Sequence, residues 1–219
     1  MGPVRWIVAF ALVCAAAFFV DASDEARTVA LPAAHRAGGK PLMQALAERR
    51  SSREVDGRAL PSQTLSDLLW AAAGVNRADG RRTVPSALNW QEVEVYVATA
   101  EGAYRYDAAA HALVEVVAED LRALTGRQDF VGSAPVNLVY VADRAKATTS
   151  RFPVSDEDKD AWAAVSAGCM CQNVYLFCAS EGLSTVVRGL VPREDLSAKL
   201  RLRPDQRILL AQTVGFPKP

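Results

Sequence analysis

A cluster of basic and hydroxyl side chains, Arg49-Arg50-Ser51-Ser52-Arg53, is the densest group of positive charge in the sequence. Guanidinium groups bind phosphate and carboxylate oxygens through paired hydrogen bonds, and neighbouring hydroxyls add further donors. The cluster therefore indicates a site for a phosphate or another oxygen-rich ligand. The simpler alternative is a solvated helix end, where arginine interacts favourably with the helix dipole.

Two further segments have residue types that suit ligand contact. Residues 85–91 (PSALNWQ) predict a loop rich in hydroxyl and amide groups that leads into a strand; its alternative is ordinary turn chemistry. Residues 182–189 (GLSTVVRG) predict a strand bounded by glycines. A planar ligand can approach the backbone closely at such a strand, because glycine has no side chain.

The composition excludes several classes of protein. The chain has 219 residues, with 25 basic and 25 acidic side chains and a net charge of zero. This balance argues against nucleic acid as the main partner. His35 and His111 are the only histidines, so a histidine-rich metal site or an HExxH helix is excluded, and a Ser-His-Asp triad would need one of these two. The sequence also has neither GxGxxG nor GxxxxGK[ST], the two common nucleotide-binding patterns.

Three cysteines lie within the predicted long helix. Cys169 and Cys171 form a C-x-C pair, and Cys178 follows seven residues later. A C-x-C pair can cycle between dithiol and disulfide. However, residues two apart on a helix point to different faces, and free cysteine is commonly buried. We therefore favour buried structural thiols over a redox pair, and we predict no metal site.

The first 22 residues have the pattern of a signal peptide. Arg5 is followed by an apolar run over residues 6–20, and Val20 and Ala22 suit a small-x-small cleavage site. We expect an exported, periplasmic protein, or a membrane-anchored one if residues 6–20 are not cleaved. Residues 23–40 are polar without a clear period and predict a flexible tether, and residues 41–219 predict one domain.

Hydrophobic periodicity predicts the elements of this domain. One helix begins at Pro41, with Leu42, Ala45 and Leu46 on one face, and a second begins at Ser62 or Thr64 and ends at Gly74. The long helix over 156–179 is apolar nearly all round, which is typical of a helix through the centre or through a subunit interface. The remaining predicted elements are strands over 92–99, 104–106, 113–117, 136–142, 183–187 and 207–214, and helices over 118–125 and 192–200. This order predicts an α+β fold with a mostly antiparallel central sheet surrounded by helices.

Taken in order, several segments resemble the nitroreductase family of flavoproteins from Pro41 to Pro219. They are residues 49–53, residues 85–91 before a valine-rich strand, Ser133-Ala134-Pro135-Val136, Gln172-Asn173, Glu181-Gly182-Leu183 and Val214-Gly215-Phe216-Pro217. The length suggests the compact type that includes SagB-like dehydrogenases. The resemblance implies FMN bound in an α+β homodimer, with two flavins in the subunit interface.

The resemblance also implies which residues bind the cofactor. Arg49, Arg50, Ser51 and Arg53 match the residues that hold the flavin phosphate and ribityl chain and approach the pyrimidine edge. Ser86, Ala87 and Asn89 match a loop that reaches the flavin from the other subunit. Val187, Arg188 and Gly189 match the end of a strand that lies against the central ring of the flavin. Many members have Glu at the position of Arg188. Gln128 matches a pyrimidine contact, and Lys218 a basic residue near the phosphate.

The implied activity is hydride or electron transfer between a nicotinamide, NAD(P)H, or another donor and a small organic acceptor such as a nitro compound or a quinone. No side chain need act as an acid or base, because the cofactor does the chemistry. An exported enzyme would seldom meet NAD(P)H. The alternatives are therefore an exported flavin-binding protein reduced by a redox partner, and a SagB-like oxidase of peptide azolines.

Overall fold

The computed structural model describes residues 26–149 and 151–219, together with Gly2. A seven-stranded sheet forms its centre, with the strands in the order β1-β4-β3-β2-β5-β7-β6, all antiparallel. The strands are β1 (Thr28–Ala30), β2 (Val93–Ala98), β3 (Ala103–Asp107), β4 (Ala112–Val117), β5 (Val136–Asp143), β6 (Ser184–Arg188) and β7 (Gln206–Gly215). The helices are α1 (Leu42–Glu48), α2 (Ser62–Ala73), α3 (Asp156–Glu181) and α4 (Arg193–Lys199). The predicted α+β class with a mostly antiparallel sheet is confirmed.

The two faces of the sheet bury separate apolar clusters. Helices α2 and α3 cover one face, where Leu68, Leu138 and Val174 belong to the larger cluster. Helix α4 covers part of the other face, where Leu196 packs with the cluster that contains Ile208. Every residue of β5 is buried, which explains its nearly continuous apolar sequence. The sheet is open, and β6 forms one of its edges.

The prediction of a flexible tether over residues 23–40 is wrong from Thr28 onward. Thr28–Ala30 pair with Val114–Ala112 as an edge strand, His35 binds Asp67 through its backbone N–H, and the Lys40 amide donates to Ser180 Oγ. A three-residue edge strand is held by backbone hydrogen bonds, which require no alternation of apolar and polar residues. The sequence therefore contains no pattern that predicts this strand. The predicted signal peptide lies outside the described residues apart from Gly2. Among the described residues, no helix is long and apolar enough to cross a membrane.

Three smaller predictions about helices also need correction. Residues 118–125 form only a 3₁₀ turn over Arg122–Thr125. Helix α2 follows Pro61, and neither Ser62 nor Thr64 supplies a side-chain cap. Helix α1 buries Ala45 but leaves Leu42 exposed by 64%.

Helix α3 is buried on one face only, although its sequence is apolar nearly all round. Its inner face carries Ala167, Met170 and Val174, while Val165 is 66% exposed. It begins after Ser155, whose hydroxyl accepts from the Asp158 amide, and ends at Gly182, whose φ of 71° is left-handed. The helix packs against α1 and β6, and its contact with β6 includes Tyr175 in its C-terminal half.

Candidate active site

The segment that follows α1 lies along the outer edge of β6, the last strand of the sheet. The Ser52 amide donates to the Thr185 carbonyl at 2.9 Å, and Ser184 Oγ donates to Ser52 Oγ at 3.2 Å. Further along, Val55 bridges to Pro217 in antiparallel fashion. An edge strand has unpaired backbone N–H and C=O groups. The segment hydrogen-bonds to these groups, and the arginine cluster therefore lies at the end of the sheet.

A cleft of about 600 Å³ lies between the end of α1, the end of α3 and the start of β6. Arg49 and Arg50 line it, and so does Lys40, which the sequence placed in the tether. Lys40 Nζ donates to Glu48 at 2.6 Å, and this hydrogen bond lowers the pKa of the Glu48 carboxyl. Three cations and one carboxylate, that of Glu48, line this open cleft, and the remaining positive charge suits an anionic, oxygen-rich ligand.

Tyr175 of α3 connects the arginine segment to β6, and the sequence analysis did not identify it. Its hydroxyl accepts from the Val187 amide at 3.0 Å and lies 2.7 Å from Ser51 Oγ. The Arg49 guanidinium lies over the Tyr175 ring, 5.2 Å from its centroid, within the range of a cation–π contact. A tyrosine on an apolar helix face gave no signal beyond burial, so only the fold reveals this role.

Two other predicted residues lie beside the cluster. The Lys218 amide donates to the Glu54 carbonyl at 3.3 Å, so the chain terminus runs next to residues 49–53. The structure thus brings Arg49, Arg50 and Ser52 to one cleft. Ser51 lies beside it against the Tyr175 hydroxyl, and the side chains of Arg53 and Lys218 are exposed to solvent.

Arg188 and Gln128 lie together at the other end of β6. The Arg188 side chain is buried and donates to Thr125, Asn137 and Thr213. Gln128 Oε1 is buried without a hydrogen-bond partner among the described residues. Gly189 follows at the surface, and a Cβ there would meet no atom within 4 Å. A flat ligand could therefore approach the backbone at Gly189.

The loop with Ser86, Ala87 and Asn89 is not part of this cleft within one chain. Trp90 packs on Trp162, near the start of α3, at 5.5 Å between ring centroids. Tyr175, at the cleft, is 13 positions further along the same helix, which corresponds to about 20 Å. The loop has strained residues, with positive φ at Leu88 (50°) and Asn89 (57°), a feature that often marks functional loops.

The cysteine side chains are poorly suited to redox chemistry. Cys171 and Cys178 are buried, and Cys169 is half-buried. Burial raises the pKa of the Cys171 thiol to about 12 and raises that of Cys178 further, which suppresses the reactive thiolate. Within residues 26–149 and 151–219, no group of three or more His, Cys, Asp or Glu side chains could hold a metal ion.

Comparison with solved structures defines the class of this fold. A structure from Ralstonia eutropha JMP134, named as a nitroreductase, aligns with a TM-score of 0.82 and 40% identity and covers 100% of this chain and 98% of that one. The NADPH:FMN oxidoreductase of Vibrio harveyi, solved with NAD⁺, aligns with a TM-score of 0.59 and 19% identity, covering 81% and 69% of the two chains. The second comparison shows the fold alone.

Sequence comparison identifies the family. The model of the nitroreductase family matches residues 46–216. A protein of Methanocaldococcus jannaschii that carries the name nitroreductase is 31% identical over 184 residues, which cover 80% of this chain and 90% of that protein. The chain belongs to the nitroreductase family and is an oxidoreductase of that type.

Proposed function

We propose that this protein binds FMN at the edge of β6 and transfers hydride or electrons from a nicotinamide or another donor to a small organic acceptor, such as a nitro compound or a quinone. The observation that carries this proposal is the cationic cleft lined by Lys40, Arg49 and Arg50. When bound, FMN supplies the two-electron chemistry that the side chains lack.

The residues around β6 fit the parts of FMN. Arg49 and Arg50 would hold the phosphate, because their guanidinium groups can form charge-assisted hydrogen bonds. Ser51, fixed against Tyr175, would contact the ribityl chain. The unpartnered buried Gln128 Oε1 would accept from a ring N–H, and Gly189 leaves the backbone open to the ring. These assignments agree in order along the strand, from phosphate near its start to ring near its end.

We further propose that the protein acts as a homodimer whose sites each use both chains. The loop of Ser86, Ala87 and Asn89 lies about 20 Å along α3 from its own cleft, so a second copy is needed to bring such a loop to a bound flavin. Exposed apolar side chains support this arrangement. Those on α1 and α3 are Leu42, Met43, Leu46 and Val165. Solvent contact with such a surface is unfavourable, and an interface would bury it.

Export is proposed on the sequence of residues 1–22 alone, and it bears on the electron donor. NADH and NADPH are cytoplasmic, so an exported form would depend on a quinol, a redox protein or another donor outside the cytoplasm. The burial of Cys171 and Cys178 makes an internal dithiol a poor candidate for this role. The donor therefore distinguishes the enzyme proper from a flavoprotein reduced by a partner.

Anaerobic reduction of the FMN-loaded protein tests this function. The absorbance of the bound flavin is followed after addition of NADH, NADPH or a soluble quinol, and then after addition of a nitroarene or a quinone. Bleaching by one donor and recovery with an acceptor is the expected result. A bound flavin that stays oxidised with NADH, NADPH, the quinol and the chemical reductant dithionite would refute an oxidoreductase role. Oxidation of a peptide azoline by the same preparation would instead identify a SagB-like oxidase.

A further inference from the structure

Arg188 is a buried cation surrounded by neutral acceptors. It is 5% exposed, and its Nε donates to Thr213 Oγ1 at 3.1 Å. Nη1 donates to the Thr125 carbonyl at 2.6 Å, and Nη2 donates to Asn137 Oδ1 at 2.9 Å. Each of these acceptors is an amide, a hydroxyl or a carbonyl. The guanidinium is therefore well anchored, but none of its hydrogen-bond partners carries a negative charge.

The charge on Arg188 is not neutralised by any neighbour in the described part of the chain. No carboxylate of residues 26–149 or 151–219 forms an ion pair with it. Burial lowers its pKa to about 10, so the side chain stays positive at neutral pH. An unpaired buried charge is costly. Such a charge is readily explained where the protein binds or generates a negative charge nearby.

The surroundings of Arg188 place that charge next to the ring end of the proposed site. A Cβ on Gly126 would lie 1.9 Å from Arg188 Nη1 and 2.7 Å from Gln128 Oε1, so the guanidinium and the orphaned amide oxygen flank the same point. The Arg127 amide donates to the Leu190 carbonyl at 3.3 Å, which ties this loop to the end of β6. The cation thus lies under the junction of the two segments assigned to the flavin ring.

We propose that Arg188 sets the reduction potential of the bound flavin by favouring its reduced, negatively charged form. This inference rests on the proposed binding of FMN. Hydride transfer from a donor to a neutral flavin delivers two electrons and one proton and leaves one negative charge on the ring. A fixed positive charge in a poorly solvated site stabilises that negative charge, while the neutral oxidised ring gains little. Arg188 is a positioning residue, because it acts through its field.

The midpoint potential of the bound flavin tests the role of Arg188. In Arg188→Gln the reduced form should lose affinity relative to the oxidised form by about tenfold or more, which lowers the potential by about 30 mV or more for a two-electron couple. Arg188→Lys keeps the charge and should restore most of the potential. Arg193→Gln is the matched control, because Arg193 also donates to backbone carbonyls, those of Ile208 and Leu209, but is exposed.

A second variant keeps the test decisive if Arg188→Gln does not fold. Asn137→Asp leaves Arg188 in place and puts a carboxylate where Asn137 Oδ1 accepts from Arg188 Nη2. The substitution also removes the hydrogen bond that Asn137 Nδ2 donates to the Val131 carbonyl. The potential should again fall. Equal potentials in wild type and both charge-altering variants would overturn the proposal, and so would equal shifts in Arg188→Gln and Arg188→Lys. Failure of the wild-type protein to bind FMN would instead refute the proposed function.

Discussion

At the scale of residues, the positions of the charges matter more than their number. The sequence identified Arg49, Arg50 and Ser51 correctly as neighbours in one cluster, because they are adjacent in the chain. Lys40 and Tyr175 were missed, because only the packing of α1, α3 and β6 brings them to the cleft. The burial of Arg188 could not be predicted either, since a strand-terminal arginine is usually solvated.

The first prediction concerns the phosphate. Arg49→Ala should weaken FMN binding by about tenfold to a hundredfold, because a hydrogen bond between charged groups contributes about 1.5–3 kcal/mol. Riboflavin, which lacks the phosphate, should bind wild type and variant equally. Titration followed by flavin fluorescence measures both ligands. Arg81→Ala is a control, because Arg81 lies in an exposed turn and pairs with Asp79. Equal losses for FMN and riboflavin would place the phosphate elsewhere.

The second prediction follows from the buried thiols. Burial raises the pKa of Cys171 from 9.0 to about 12 and raises that of Cys178 further. Between these values the unfolded chain releases thiol protons that the folded chain retains, so the free energy of unfolding should fall as the pH rises from about 9 toward 12. Urea unfolding at about pH 8 and about pH 10.5 should show a smaller loss in Cys178→Ala than in wild type. Equal losses would mean that Cys178 is accessible to solvent when folded.

At the scale of elements, the hydrophobic pattern predicted the central parts well. Strand β5 and helix α3 have long apolar sequences, and their predicted ranges agree with the structure to within two residues. Strand β1 was missed, because three residues at an edge need only backbone pairing. The exposed face of α3 was missed as well. Apolar residues lie on both faces of this helix, so the sequence does not show which face packs on the core.

The third prediction uses the separation of the Ser86–Asn89 loop from its own cleft. If each site takes the cleft from one chain and the loop from the other, a heterodimer of two defective chains contains one intact site. Arg49→Ala and Asn89→Ala chains, unfolded and refolded together, should bind about a quarter of the FMN bound by wild type, since random pairing makes about half of the dimers mixed. Refolding each variant alone is the control. No recovery in the mixture would mean that one chain supplies the whole site.

The fourth prediction concerns the exposed face of α3. Val165→Asp should shift the protein from dimer to monomer, because a carboxylate in an apolar interface loses its solvation. Sedimentation velocity measures the change in oligomeric state. FMN binding should decrease as the dimer is lost. Ala109→Asp, in an exposed turn between β3 and β4, should leave both unchanged. A Val165→Asp protein that remains dimeric would exclude this face from the interface.

At the scale of the whole molecule, the neutral net charge conceals a strong local asymmetry. The same 25 basic and 25 acidic residues include three cations at one cleft and a buried Arg188 at the other end of β6. The scarcity of histidine agrees with a protein whose cofactor supplies the chemistry. One described chain holds the cleft and the loop far apart, so the complete catalytic unit is proposed to be the homodimer.

The flavin content of the purified protein tests the central claim most directly. The chain lacking residues 1–22 is purified, its absorbance spectrum is recorded, and the released cofactor is identified by mass. The account predicts a yellow protein with about one FMN per chain, or the same stoichiometry after addition of FMN, and release of the flavin at high salt from Arg49→Ala before wild type. A colourless protein that takes up no FMN would contradict the account.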